Sequence, residues 1–203
     1  MLSWQDTVPM KALVLRTRQA LIGAALLLAL LGGCASERPL RTAAEVDLTR
    51  YQGTWYEIAR LPQWFQRGCV RSRAEYTIID ATTVGVTNRC TQASGESRSA
   101  TGRAYVVDPE TNAKLEVIFD NWFSRLFPSL VRGKYWITYL DPEYRSVLVG
   151  HPNREYLWIL ARSPRLSDSE FEDLLRRARE RGFDTEALIV SPDQARSASP
   201  ASG

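Results

Sequence analysis

The chain has 203 residues, 44% of them hydrophobic, 24% charged and 10% aromatic, with 12 Gly, 10 Pro, three Cys, one His and a net charge of +3. The length suits one domain with tails, and the apolar content excludes collagen-like, low-complexity and wholly disordered chains. A charge of +3 is no argument for nucleic acid, a single His leaves little for a His-based metal site or hydrolase, and three cysteines imply a leftover thiol unless one of them is chemically different.

Lys11, Arg16 and Arg18 precede an apolar run from Ala20 to Leu31. A bilayer span takes about 20 residues, so this shorter run suits the hydrophobic stretch of a secretory signal. It ends Leu31-Gly32-Gly33-Cys34-Ala35-Ser36, which resembles a bacterial lipobox: a branched apolar residue, two small residues, then Cys. The resemblance implies that residues 1–33 are removed, that the Cys34 thiol takes a diacylglyceryl group and that its freed amine is acylated. An ordinary signal peptide with an incidental cysteine is the alternative. Two or more acyl chains hold a protein stably at a membrane. Ala35 rather than Asp after the cysteine resembles an outer-membrane address. Losing residues 1–33 removes Asp6 with Lys11, Arg16 and Arg18, so the net charge falls from +3 to +1.

With Cys34 assigned to lipid, Cys69 and Cys90 stand in an oxidising compartment, where a disulfide between them is expected. Two buried free thiols are the alternative. A simple hairpin register does not set the two directly opposite, so the bond needs a bulge or a bend. Closing a loop of about 20 residues is worth roughly 3 kcal/mol.

Residues 34–46 are polar and read as a lipidated tether, 47–190 as the folded domain, and 191–203, rich in Ser, Ala and Pro, as a disordered tail. Alternating runs predict eight strands, at 55–61, 70–79, 84–91, 99–107, 113–120, 134–141, 145–150 and 156–162. Turn residues separate them, as in Asp108-Pro109-Glu110-Thr111-Asn112 and His151-Pro152-Asn153-Arg154. Eight short strands with short connections suggest an up-and-down antiparallel barrel or a sandwich. Tyr156-Leu157-Trp158-Ile159-Leu160 is apolar on both faces, as a strand between a core and an outer helix would be. Ser167-Asp168-Ser169-Glu170 reads as the capping box of that helix, with Leu166 and Phe171 as its hydrophobic staple. Phe171, Leu174, Leu175 and Ala178 form its apolar stripe and Gly182 its stop. Leu188-Ile189-Val190 could add a short strand. The Arg176–Arg181 charge run reads as a solvated face.

Tyr51-Gln52-Gly53-Thr54-Trp55-Tyr56-Glu57 resembles the lipocalin signature, Gly-x-Trp at the head of the first strand. The segments 61–69, Asn88-Arg89-Cys90, Tyr135-Trp136-Ile137, 140–144 and 156–164 are similar to bacterial lipocalins and their apolipoprotein D-like relatives. The resemblance implies an all-β, eight-stranded antiparallel up-and-down barrel with one C-terminal α-helix packed outside. It further implies that Gly53 permits a tight turn, that Trp55 plugs the closed end, and that Arg162 covers Trp55. The second family motif, usually Thr-Asp-Tyr, is altered here: Pro142 and Glu143 separate Asp141 from Tyr144.

A barrel of this size holds one small ligand. The expected inward positions are Glu57, Tyr76, Tyr105, Leu115, Val117, Phe119, Tyr135, Ile137 and Tyr139, with filling of a core as the bland alternative. An acyl chain of about 16 methylenes gains roughly 13 kcal/mol gross on burial, from which the cost of binding is subtracted. The loops at 62–67 and 121–128 carry aromatics where polar residues are usual, and could form a rim over the pocket or against a bilayer; Arg67, Arg71, Arg125 and Arg132 could there meet a phosphate or carboxylate. The leading expectation is an outer-membrane lipoprotein that stores or transports fatty acids or lysophospholipids, with no enzyme activity, cofactor, metal or nucleic acid; a homodimer is compatible. The alternatives are an enzyme on the same barrel, with Glu57 as a buried carboxyl unless an Arg pairs it, and a structural envelope lipoprotein with a filled barrel.

Overall fold

The computed structural model describes residues 39–120 and 132–195. Cys34 and the lipobox, the Trp122–Phe127 stretch with Arg125, and residues 196–203 lie outside the described residues.

A one-turn helix α1 (Leu48–Tyr51) opens the domain, its N-terminus capped by Asp47, whose carboxylate accepts from the amides of Thr49 and Arg50. Eight strands follow: β1 (Gly53–Arg60), β2 (Cys69–Ile78), β3 (Thr83–Gln92), β4 (Ser97–Val106), β5 (Lys114–Phe119), β6 (Gly133–Leu140), β7 (Ser146–Gly150) and β8 (Leu157–Ala161). Helix α2 (Asp168–Glu180), a short strand β9 (Ile189–Val190) and a final turn α3 (Pro192–Ala195) complete it. From β1 to β8 each strand pairs antiparallel with the next, and β1 pairs with both β2 and β8, which closes the barrel.

Two apolar clusters explain the doubly apolar strands. Inside the barrel lie Trp55, Tyr76, Val84, Val86, Ala104, Leu115, Val117, Ile137, Val147, Val149 and Leu160. Outside it, Ile58, Leu148, Leu157, Ile159 and Ala161 meet Leu166, Leu174, Ala178 and Phe183 of α2 and its flanks. Helix α2 starts at the capping box read from the sequence: the Ser167 hydroxyl accepts from the Glu170 amide and the Glu170 carboxylate accepts from the Ser167 amide.

Two bulges reset the inside–outside alternation. In β1 the pairing with β8 shifts between Glu57 and Ala59, which sends Ile58 and Ala59 both to the outer cluster. In β6 the pairing with β7 shifts between Ile137 and Tyr139. The β1–β2 ladder is short, running from Gly53↔Tyr76 to Tyr56↔Arg73. Beyond it, the edge of β1 that β2 leaves is taken by β9, through Ala59↔Val190 and Arg60↔Ile189.

The domain is longer at both ends than the sequence suggests. Residues 39–46, expected as tether, are part of the fold: Leu40 and Val46 are buried, and the amides of Ala43 and Val46 donate to the carbonyls of Ile137 and Thr111. Residues 191–195, expected as part of the disordered tail, are ordered instead, with Pro192–Ala195 forming α3. Gln194 is buried and bonds both backbone groups of Leu166, while Asp193 forms a bidentate pair with Arg71.

Candidate functional site

The closed end of the barrel is built around Trp55. Its ring is fully buried, its Nε1 donates to the Tyr51 carbonyl at 2.8 Å, and the Arg162 guanidinium lies 4.0 Å over it. Arg162 also donates to the carbonyls of Thr54, Arg50, Tyr51 and Tyr144. Gly53 adopts φ +96°, and a Cβ there would stand 3.3 Å from Arg162 Nη1, so glycine serves both the turn and the arginine. In the altered second motif, the Tyr144 hydroxyl accepts from the Asp47 amide, and Arg50 stacks on the Tyr144 ring. That variant turn therefore holds α1 across the barrel floor.

Above this floor, register fixes which side chains share the lumen. Tyr76, Val86, Gly102 and Phe119 form one row, with Val84, Ala104, Val117 and Gly133 next to it. Tyr76, Val117, Phe119, Tyr135 and Ile137 all belong to the inner cluster. Two of the expected aromatic positions do not. Tyr105 pairs with Thr83 and Glu116 on the outer face, is 36% exposed, and leaves the inward place to Ala104. Tyr139 is turned outward by the β6 bulge and lies under the Arg177 guanidinium at 4.2 Å, against α2.

Three phenols meet at the bottom of the lumen. The Tyr135 hydroxyl is 2.7 Å from that of Tyr51 and 2.9 Å from that of Tyr76. Burial pushes the Tyr76 phenol up to about 12 and holds Tyr51 and Tyr135 well above the ordinary phenol value, so all three keep their protons at neutral pH. Beside them is a cavity of about 10 Å³. Tyr51 escapes sequence reading because it precedes the first predicted strand.

Among the described residues, the lumen rows become exposed toward the other end. Asn88 and Ala100 share a row with the buried Ala74, and both are exposed. A polar network stands beside this opening, where β1 and β2 separate. Because the β1 bulge absorbs one residue, Glu57 and Arg60 come together, both buried, with Arg60 Nη1 donating to Glu57 Oε1 at 2.6 Å. Gln66 donates to Glu57 Oε2 and Ser72, and accepts from Trp158 Nε1, while Arg60 Nη2 donates to the Cys69 carbonyl. Cys69 and Cys90 form a disulfide with a Cα–Cα distance of 5.4 Å. The expected bulge is present: Cys69 pairs with Gln92 and Ser72 with Cys90, with a register shift between Cys69 and Arg71.

On the rim, Trp64 is 72% and Phe65 50% exposed. Phe65 touches Tyr156, which touches Trp158, so an aromatic chain runs from the rim to the polar network. Of the cations expected on this rim, Arg67 is exposed, whereas Arg71 and Arg132 are paired with Asp193 and Glu116. Among the described residues no group of three or more His, Cys, Asp and Glu could hold a metal.

A closed antiparallel barrel of eight strands with an outer helix, a plugged floor and an apolar lumen is of the size that holds one small ligand. The lipocalin-like domain family matches residues 46–193, and the chain belongs to the lipocalin family. It is 36% identical over 159 residues to temperature-induced lipocalin-1 of Arabidopsis thaliana, covering 77% of this chain and 84% of that one. It is 37% identical over 173 residues to the outer membrane lipoprotein Blc of Escherichia coli K12, covering 83% and 93%. Among solved structures, lobster apocrustacyanin A1 has the same fold, with a TM-score of 0.55 at 16% identity over 75% of this chain and 89% of that one. Fold and relatives together support binding of a lipid or another small hydrophobic molecule.

Proposed function

We propose that this lipocalin stores or carries fatty acids or lysophospholipids at the bacterial envelope, held to the outer membrane by a lipidated Cys34. The observation that carries the binding half is the lumen: rows of apolar and small side chains that lead from the open row at Asn88 and Ala100 down to the tyrosines. The lipobox-like sequence and the similarity to a protein named as an outer membrane lipoprotein support the anchoring half. The exposed Trp64 and Phe65 suit contact with the bilayer from which the ligand would come.

The test is titration of the purified, delipidated protein with a fluorescent fatty acid, followed by displacement with lysophospholipid. Saturable, displaceable binding is expected, and its absence overturns the reading. For the anchor, Cys34→Ser should move the protein from the membrane fraction to the soluble one.

One observation favours a second reading, a structural lipoprotein with a filled barrel: the cavity at the floor measures only about 10 Å³, room for one water. The same titration separates the two. An enzyme built on Glu57 has less support, because both of its carboxylate oxygens are engaged by Arg60 and Gln66. A turnover lost in Glu57→Gln while lipid binding survived would bring that reading back.

A further inference from the structure

The phenol cluster has more donors than it can use. Tyr51, Tyr76 and Tyr135 carry three O–H protons, but their hydroxyls make two contacts, both through Tyr135. Whichever way the protons turn, one O–H has no acceptor within the cluster. The space beside all three rings is the floor cavity, whose other walls are Leu48, Val84, Ala104, Leu115 and Val117. These side chains offer no acceptor. Phenylalanines would fill the same apolar volume without burying an unmatched donor, which costs roughly 1–3 kcal/mol. A cavity of about 10 Å³ admits one oxygen-sized group.

The position of the cluster says which part of a ligand would reach it. Ala104, on the cavity wall, lies four residues along β4 from Ala100 at the open row, a descent of about 13 Å. The group arriving there is the far part of a chain that entered from the mouth. None of the side chains lining the cavity is cationic, and burial disfavours the phenolate forms of the tyrosines themselves, so an anionic carboxylate is a poor occupant. A neutral hydroxyl or carbonyl oxygen fits the spare donor.

We propose that the Tyr51–Tyr135–Tyr76 triad is an oxygen-recognition site at the deep end of the lumen, selecting lipids whose chain carries a hydroxyl or keto group far from the head over lipids with a plain chain. This rests on the lipid-binding reading above and narrows its ligand class to oxygenated acyl chains.

The experiment compares dissociation constants of the purified protein for hexadecanoate and for its 10-, 12- and 16-hydroxy derivatives. At least one hydroxy derivative should bind about fivefold to tenfold more tightly than hexadecanoate, the range one neutral hydrogen bond allows. In the triple variant Tyr51→Phe, Tyr76→Phe and Tyr135→Phe, which leaves no O–H at the cavity, that ratio should fall to about one; Ala104→Val, which fills the cavity from its wall, serves the same purpose if the triple variant does not fold. Saturable hexadecanoate binding with no preference for any hydroxy derivative overturns the inference and leaves the lipid-binding reading standing. A preference that survives in the triple variant or in Ala104→Val also overturns it. No binding of any of the four ligands overturns both.

Discussion

Arg162 crosses the closed end of the barrel to lie 4.0 Å over the indole of Trp55, and its guanidinium donates to carbonyls from α1, β1 and the β6–β7 turn. One side chain therefore joins the last barrel strand to the first. Arg162→Ala removes the stacking and leaves several carbonyls without a donor, so a loss of about 2–4 kcal/mol is expected in urea unfolding. Arg162→Lys should recover little, because an ammonium cannot reach those carbonyls in a fan. A loss below about 0.5 kcal/mol for Arg162→Ala would contradict this role.

Glu57 and Arg60 are both buried and each answers the other's charge. Glu57→Gln leaves Arg60 as an uncompensated buried cation and should cost about 3–5 kcal/mol. Replacing both, as Glu57→Gln with Arg60→Met, should restore much of the lost stability. Additive losses in the double variant, read from urea midpoints, would show that the two side chains act independently.

The Cys69–Cys90 bond closes a loop with a sequence separation of 21 across the β2–β3 pair. Replacing both cysteines by serine should lower stability by about 3 kcal/mol. Reduction of the unmodified protein should bring its unfolding midpoint to that of the variant. An unchanged midpoint under reducing conditions would show that the bond adds nothing.

The tyrosine cluster sets an alkaline limit. A phenol whose folded value is raised stabilises the fold below its unfolded value, near 10, and loses that contribution as pH rises through the folded value. With Tyr76 at about 12 and Tyr51 and Tyr135 well above 10, stability should fall between pH 10 and pH 12 and onward. Ultraviolet phenolate absorbance should show these tyrosines ionising together with unfolding. Tyr135→Phe should flatten the decline, and an equally steep one in that variant would count against the cluster as its source.

Gly150 faces the ring of Phe183: a Cβ built there would lie 2.4 Å from its Cζ. Phe183 is buried in the outer cluster and pins the chain after α2 to the barrel wall. Gly150→Ala should displace the ring at a cost of about 1–3 kcal/mol. The companion Phe183→Leu should relieve the clash, so the double variant should be more stable than Gly150→Ala alone.

The strands, the helix and its cap were legible because turn residues, alternation and a capping box each leave a local mark. The facing of side chains was legible only where alternation is unbroken. Lys114 to Phe119 reads correctly, but a bulge adds one residue with no signature of its own, so the sequence alone puts Tyr139 on the wrong face. Tyr105 stands in a strand where the small Ala104 fills the inward place. Leu40 and Val46 are single apolar residues in a polar stretch and have no period to announce them. Gln194 is buried through hydrogen bonds to Leu166, a partner 28 residues earlier, so its burial depends on tertiary structure. The tyrosine triad joins residues from α1, β2 and β6, and only barrel closure brings them together.

The packing of residues 39–46 onto the barrel wall shortens the leash. A tether counted to residue 46 would let the barrel roam, whereas Pro39 is only five residues from Cys34, a reach of about 17 Å at full extension. If Cys34 is acylated as proposed above, Pro39 stays within that distance of the membrane surface, which favours ligand exchange with the leaflet that holds the anchor. Lengthening the leash with an inserted Gly/Ser spacer should extend the distance over which it delivers ligand to acceptor vesicles.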